Sequence, residues 1–393
     1  MWRKTIFWVH LTCGVTAGLV ILMMSATGVL LTYERQMLGW AERQLVSEPG
    51  DARRLGIAEL LQAARKQEPA FAPSSVTLSA HPRAPVELSA GRGNTRLVDP
   101  YTALIVGDGE GGLHAFFDAV RGWHRWFNAE GEHRDLARAA TGACNLAFLF
   151  LVLSGMYLWL PPVFNRAALR VRFWFNPRAG TGKARDYNWH HVFGIWSAVP
   201  LAVIVASATV FNYEWANAAV YRFFGEEPPA RRGAAASTPP SALADSSAGE
   251  LHRLDRLVAR AAAAVPGWQR LTLELPETGA AAVEVAVDRG TGGQPQLRHD
   301  LVLDRATGEV LANERFAGTP ARRARSMLRF LHTGEALGWA GQTVAGIVSA
   351  TSTVMVWTGL ALAWRRLVRP LLARRSAVRS AGVPLPRTEP RDG

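Results

Sequence analysis

The stretch YNWHHVFGIWSAVPLAVIVASATVFNY, at residues 187–213, contains no Asp, Glu, Lys or Arg. Three other stretches share this property, at residues 5–33, 139–165 and 336–364. Each is longer than the roughly 20 apolar residues with which a helix crosses about 30 Å of hydrocarbon. The first is expected to remain uncleaved, because its apolar run is too long for a signal peptide. The sequence therefore predicts a mainly α-helical membrane protein with four transmembrane helices.

The net charge of +12 is concentrated beside these segments. Residues 166–186 carry arginines and a lysine against one acid, Asp186; residues 365–393 are also rich in arginine, and Arg3 and Lys4 precede the first segment. Short basic flanks stay in the cytoplasm. Alternate threading of four helices puts all three basic sets on that side, so the charge indicates membrane topology and not nucleic-acid binding.

This topology leaves two long segments, residues 34–138 and 214–335, outside the cytoplasm. Helical apolar spacing and strand-like alternation occur in both, so each is predicted to be an α+β domain. The predicted helices cover 57–67 and 251–265, the strands 75–88 and 271–287, and Asp-x-x-Thr motifs at 99–103 and 304–308 are predicted hairpin turns. Residues 225–249 have the composition of a linker, and a proline-containing tail follows Arg379.

The chain repeats its own pattern once. HLTCG at 10–14 matches HHVFG at 190–194, TYE at 32–34 matches NYE at 212–214, and SG at 154–155 matches TG at 358–359. The first two matches have the same spacing, and all occur in the same order as the two Asp-x-x-Thr turns. An internally duplicated membrane protein tends to place its function where the repeats meet.

Histidines occur at two depths of the predicted membrane region. His10 and His190 lie just inside the cytoplasmic ends of the first and third segments, and His124 and His332 precede the outer ends of the second and fourth. Imidazoles at membrane depth are costly and are expected to be functional. Their predicted depths in the membrane pair His10 with His190 and His124 with His332. Two imidazoles per iron suit a haem that carries electrons.

Neighbouring residues refine this hypothesis. Gly14 and Gly194, one turn from His10 and His190, are expected to let a flat macrocycle approach the helices. His191 competes with His190, and His133 competes with His124, although His133 lies in a polar run. Only two cysteines are present and no C-x-x-C-H motif occurs, so any haem is expected to be held non-covalently.

Several motifs carry a family resemblance. LHTG at 331–334, WHRWF at 123–127, NWHHVFG at 188–194 and the Asp-x-x-Thr-Gly turns resemble bacterial PepSY-associated transmembrane proteins over nearly the whole chain. Ala103 stands where this turn usually has Gly. The resemblance implies two periplasmic PepSY-like domains on an inner-membrane protein, two haems b, and His10, His190, His124 and His332 as ligands of the haem irons.

The resemblance also implies reduction of ferric siderophores in the periplasm for iron uptake. No dinucleotide-binding fingerprint opens a strand–helix unit, so the expected electron donor is quinol or a separate cytoplasmic reductase. Besides the siderophore and the donor, membrane lipid is the expected partner, and no nucleic acid. Two alternatives remain open at this point: a PepSY binding or regulatory module without haem, and a quinol-linked conduit to another periplasmic acceptor.

Overall fold

The computed structural model describes residues 1–48, 50–91, 93–109, 111–161, 164–229, 248–276 and 279–373. Most of the predicted linker over 225–249 and the tail after Arg379 lie outside the described residues. The helices are α1 (Trp2–Leu31), α2 (Glu34–Arg43), α3 (Ile57–Gln67), α4 (Leu113–Trp126), α5 (His133–Trp159), α6 (Arg166–Phe173), α7 (Gly182–Asn212), α8 (Glu214–Phe223), α9 (Ala248–Ala264), α10 (Pro320–His332) and α11 (Gly338–Leu367). The strands are β1 (Ser75–Ser79), β2 (Val86–Ser89), β3 (Thr95–Val98), β4 (Ile105–Gly107), β5 (Arg270–Glu274), β6 (Ala282–Asp288), β7 (Arg298–Asp304) and β8 (Val310–Arg315).

The four predicted membrane segments are confirmed as long helices, α1, α5, α7 and α11. In the described part of the chain, these four are long and apolar enough to cross a membrane. Large apolar side chains such as Leu19, Val199 and Trp357 point outward and are more than half exposed. Such exposure suits helices whose backbone groups are satisfied internally and whose side chains face lipid.

One compact unit contains the described residues of the ranges 1–26, 143–202 and 348–373, which include the ends of the four long helices predicted to be cytoplasmic. Asp186, the lone acid of the basic loop, is 3% exposed at its side chain and pairs with Arg365 of α11 and, at 3.0 Å, with Arg185. A buried carboxylate requires such partners. The ion pair therefore joins the beginning of α7 to the end of α11.

The second unit, residues 27–142 and 203–347, contains one antiparallel sheet of eight strands in the order β4-β3-β2-β1-β5-β6-β7-β8. Its two halves meet where β1 pairs with β5, with Val76 opposite Leu273. Helices α3 and α9 pack on the sheet, and side chains from both halves form one buried core. The segments 34–138 and 214–335 thus contribute to one sheet and one core, because β1 and β5 each cover the other's open edge.

Within this unit, the predicted helix over 57–67 is confirmed as α3, and that over 251–265 corresponds to α9. The strand predictions over 75–88 and 271–287 were too long, since each range holds two strands. Pro82, Pro85 and Pro276 lie in or beside the interruptions. Proline cannot donate to the ladder of a sheet, which explains why the strands end there.

The two Asp-x-x-Thr turns have the same geometry. Oδ1 of Asp99 accepts hydrogen bonds from the backbone N–H groups of Tyr101 and Thr102, and Oδ1 of Asp304 does the same two and three residues further on. The fifth residue has a positive φ in both, 58° at Ala103 and 74° at Gly308. Alanine at this position therefore leaves the turn intact but holds it in a conformation that favours glycine.

We expect Ala103→Gly to stabilise the protein by about 0.5–1 kcal/mol, because it removes a left-handed alanine at a small cost in chain entropy. Gly308→Ala is the matched reverse change and is expected to destabilise the protein by about 1 kcal/mol, because it places an alanine at a positive φ. The new methyl group adds no steric clash, since it would lie at an ordinary 3.5 Å from Arg260. Thermal unfolding of both variants in detergent measures the effect. Shifts of the same sign in the two variants would contradict the assignment of strain to Ala103.

Candidate functional site

The second unit brings two of the singled-out histidines together, the pair predicted for the outer side of the membrane. His124 lies in the last turn of α4, and His332 is the last residue of α10. Their ring centres are 6.4 Å apart, with an angle of 69° between the ring planes. The edge of Phe211 packs against the His332 ring at 5.6 Å between ring centres. The pair therefore occupies a partly apolar setting formed by α4, α7 and α10.

The distance between the two rings suits one metal ion between them. Imidazole nitrogens bind first-row transition metals at about 2 Å, so two collinear bonds place the ring centres about 6–6.5 Å apart. Among the described residues, no group of three or more His, Cys, Asp or Glu side chains has the arrangement of a metal site. A pair of histidines is sufficient for haem iron, because the macrocycle supplies the other four ligands.

Hydrogen bonds at Nδ1 orient both outer rings. Nδ1 of His332 donates to the Ile204 carbonyl oxygen at 2.8 Å and lies 3.3 Å from the Ser207 hydroxyl, while Nδ1 of His124 lies 2.9 Å from the Thr27 hydroxyl. Burial lowers the pKa of His332. A neutral ring that donates through Nδ1 presents the lone pair of Nε2, the form that binds a metal.

The first unit contains His10 on α1 and His190 on α7, the pair predicted for the inner side of the membrane, close enough for a direct electrostatic interaction. Nδ1 of His10 lies 2.8 Å from the Ser154 hydroxyl, which itself donates to the Phe150 carbonyl at 2.6 Å. The hydroxyl must therefore accept from His10. Nδ1 of His190 donates to the Met355 carbonyl at 3.0 Å. Both inner rings thus also present Nε2 for a ligand.

Two glycines make room for the inner rings. A Cβ atom at Gly155 would lie 3.5 Å from Cε1 of His10, and one at Gly359 would lie 3.2 Å from Cε1 of His190. Each glycine follows a hydroxyl residue that faces the same ring, Ser154 at 2.8 Å and Thr358 at 3.3 Å. The repeated Ser-Gly and Thr-Gly pairs therefore orient histidines, a role that sequence reasoning missed although the repeat itself was visible.

Hydroxyl partners also follow the duplication at the outer histidines. Thr27 of α1 and Ser207 of α7 have the same spacing from His10 and His190, respectively, along their helices. Each faces the outer histidine of its own half of the chain. Each of the four singled-out histidines thus faces a serine or threonine hydroxyl, and the sequence signal for these partners is the repeat in which they sit.

The remaining candidates differ in their surroundings. A Cβ atom would meet nothing within 4 Å at Gly194 and only Leu151, at 3.9 Å, at Gly14, so both glycines leave open space. His191 turns back to its own helix, with Nδ1 2.9 Å from the Tyr187 carbonyl oxygen. His133 is exposed at the start of α5. Neither alternative histidine shares the arrangement described for His190 and His124.

Comparison with known protein families agrees with this architecture. The family model described as the PepSY-associated TM region matches residues 7–366. The chain belongs to the PepSY-associated transmembrane family. This match confirms the resemblance expected from the motifs, and it includes the four long helices, both histidine pairs and the sheet. No curated protein sequence matches this family member.

Proposed function

We propose that this PepSY-associated membrane protein is a di-haem b oxidoreductase of the bacterial inner membrane that reduces ferric siderophores in the periplasm. The observation that carries the proposal is the pair His124 and His332, with ring centres 6.4 Å apart and both Nδ1 atoms hydrogen-bonded. Its net reaction takes one electron from a donor and converts one chelated Fe(III) to Fe(II). Reduction releases the iron, since siderophores hold Fe(II) far more weakly.

The chain's own residues fit two haems. His124 and His332 would hold one iron, and His10 and His190 the other, with Gly14 and Gly194 leaving space beside the inner pair. When bound, each haem supplies a one-electron iron couple. The protein residues fix the ring tautomers and exclude water with apolar helices, and two histidines would hold each iron. Two histidine ligands per iron would favour electron transfer over the binding of oxygen.

A ferric-chelate assay tests this function. The purified protein, reduced with a quinol analogue or dithionite, is mixed with several ferric siderophores and an Fe(II)-specific colour reagent. We expect Fe(II) to appear in proportion to protein and to be absent with a heat-denatured sample. Reduction of other periplasmic acceptors but of no ferric chelate would favour the quinol-linked conduit. A protein purified without haem would favour the PepSY binding module.

The hydroxyl at Ser154 is expected to matter for the inner site. Ser154→Ala removes the acceptor of His10 Nδ1–H, and loss of such an orienting partner typically weakens metal binding about 10–100-fold. The measurement is the haem retained by the variant against a haem-scavenging apoprotein. Ser352→Ala is the matched control, because Ser352 is also buried and its hydroxyl bonds Ser25 at 2.9 Å. Equal retention by both variants would contradict the role assigned to Ser154.

A further inference from the structure

Five arginines gather beside the outer histidine pair. Arg125 of α4 lies within electrostatic range of the other four: Arg121 of α4, Arg134 and Arg138 of α5, and Arg329 of α10. Arg125 directly follows His124 in the chain, and Arg329 precedes His332 by one helical turn on the same face of α10. The ends of α4 and α10 therefore hold Arg125 and Arg329 together with the two histidines, and α5 adds two further positive charges.

These charges are largely uncompensated by the residues that the structure describes. Arg121 pairs with Glu34 and, at 2.6 Å, with Asp118. For the other four arginines, the described part of the chain provides no carboxylate partner. Like charges that converge in this way repel one another, so the cluster costs free energy unless an anion joins it.

The remaining contacts hold the guanidinium groups without neutralising them. Arg134 and Arg125 lie over the Trp126 ring, 4.2 Å and 4.8 Å from its centre. Arg138 bonds the neutral Asn212 side chain at 3.4 Å. Arg125, Arg134 and Arg329 remain exposed to solvent. The Trp126 ring and the Asn212 amide position these arginines but carry no negative charge. The positive guanidinium groups can therefore bind carboxylate or phenolate oxygens.

We propose that this arginine cluster is the binding site for the chelate and selects negatively charged ferric chelates, whose carboxylate or catecholate oxygens the guanidinium groups bind next to His124 and His332. The inference rests on the proposed reductase function for the identity of the ligand. The arginine cluster further specifies the charge of the proposed substrate. Anionic chelates bind to it, and positively charged hydroxamate chelates do not. The alternative anions are the propionate carboxylates of a haem held by the same histidines, which the guanidinium groups would bind in place of the chelate.

Binding of gallium citrate to the purified full-length protein tests the proposal, because Ga(III) mimics ferric iron but accepts no electron under these conditions. We expect saturable binding that weakens with salt and that falls about tenfold or more in Arg125→Gln and in Arg329→Gln. Arg322→Gln is the matched control: it removes the same charge from an exposed position of α10 outside the cluster. A positively charged gallium hydroxamate chelate is expected to bind all variants equally.

Two results would overturn the inference. One is an affinity for gallium citrate that is unchanged in Arg125→Gln and Arg329→Gln. The other is loss of haem from these variants with gallium citrate binding preserved, which would assign the arginines to the macrocycle's carboxylates. Failure of the redox proposal gives a different pattern: cluster-dependent binding of gallium citrate by a protein that reduces no ferric chelate.

Discussion

Gly334→Ala is expected to destabilise the protein by about 3 kcal/mol or more and to disturb the outer histidine pair. Gly334 follows His332 by two residues and has a φ of 78°. A Cβ atom there would collide with the Gly341 carbonyl oxygen and lie 2.9 Å from Cβ of Ala345. Backbone cannot swing aside as a flexible side chain does, so the turn that carries His332 must shift. Thermal unfolding and haem content of the variant measure the two effects.

Gly267→Ala isolates the steric part of this effect. Gly267 has the same φ of 78°, but a Cβ atom there would meet nothing within 4 Å. Gly267→Ala is therefore expected to destabilise the protein only through its backbone conformation, by about 1–2 kcal/mol, with no change in haem content. Gly341→Ala approaches the Gly334 carbonyl oxygen from the other side and is expected to resemble Gly334→Ala. Equal losses in Gly334→Ala and Gly267→Ala would contradict the close approach of the two backbones.

His332→Ala is expected to remove one of the two haems while the protein still folds. In the proposed function His332 and His124 would hold one haem iron together, so loss of the His332 imidazole would leave only His124 for that iron. His10 and His190 belong to the other compact unit, so their haem should remain. The measurement is haem per chain by pyridine haemochrome together with thermal unfolding. Unchanged haem content would rule out His332 as a ligand.

Two further histidine variants sharpen this test. His299→Ala is the control, because His299 is near the surface and only bonds Asn313 at 2.9 Å. His124→Ala should match His332→Ala, whereas His133→Ala, which alters an exposed ring at the start of α5, should retain both haems. Haem loss in His133→Ala with full haem retention in His124→Ala would instead assign His133 as the haem ligand paired with His332.

Sequence alone was sufficient for the membrane helices, because a bilayer imposes a length and a composition on any helix that crosses it. Capped, periodic segments such as α3 were also predictable. The duplication indicated that Ser154-Gly155 and Thr358-Gly359 are equivalent. Depth arguments singled out the histidine pairs, and in the structure the ring centres of His124 and His332 are 6.4 Å apart.

The sequence was insufficient where contacts depend on distant segments. The pairing of β1 with β5 joins strands from the two halves of the duplication, and no local pattern shows which edge covers which. The hydroxyl partner of His10 lies 144 positions away, and serines and threonines are common in membrane helices. Prolines lie between the strands within 75–88 and 271–287. The strand ends were nevertheless missed, because apolar residues alternate on both sides of these prolines. The arginine cluster likewise exists only once α4, α5 and α10 converge.

The most direct test of the di-haem account is the absorption spectrum of the full-length protein purified from haem-replete cells, oxidised and then reduced with dithionite. If the protein binds two haems b, reduction is expected to give a sharp b-type α band, and pyridine haemochrome two haems per chain. A colourless protein would contradict the di-haem account, and the four histidines with their hydroxyl partners would then be structural.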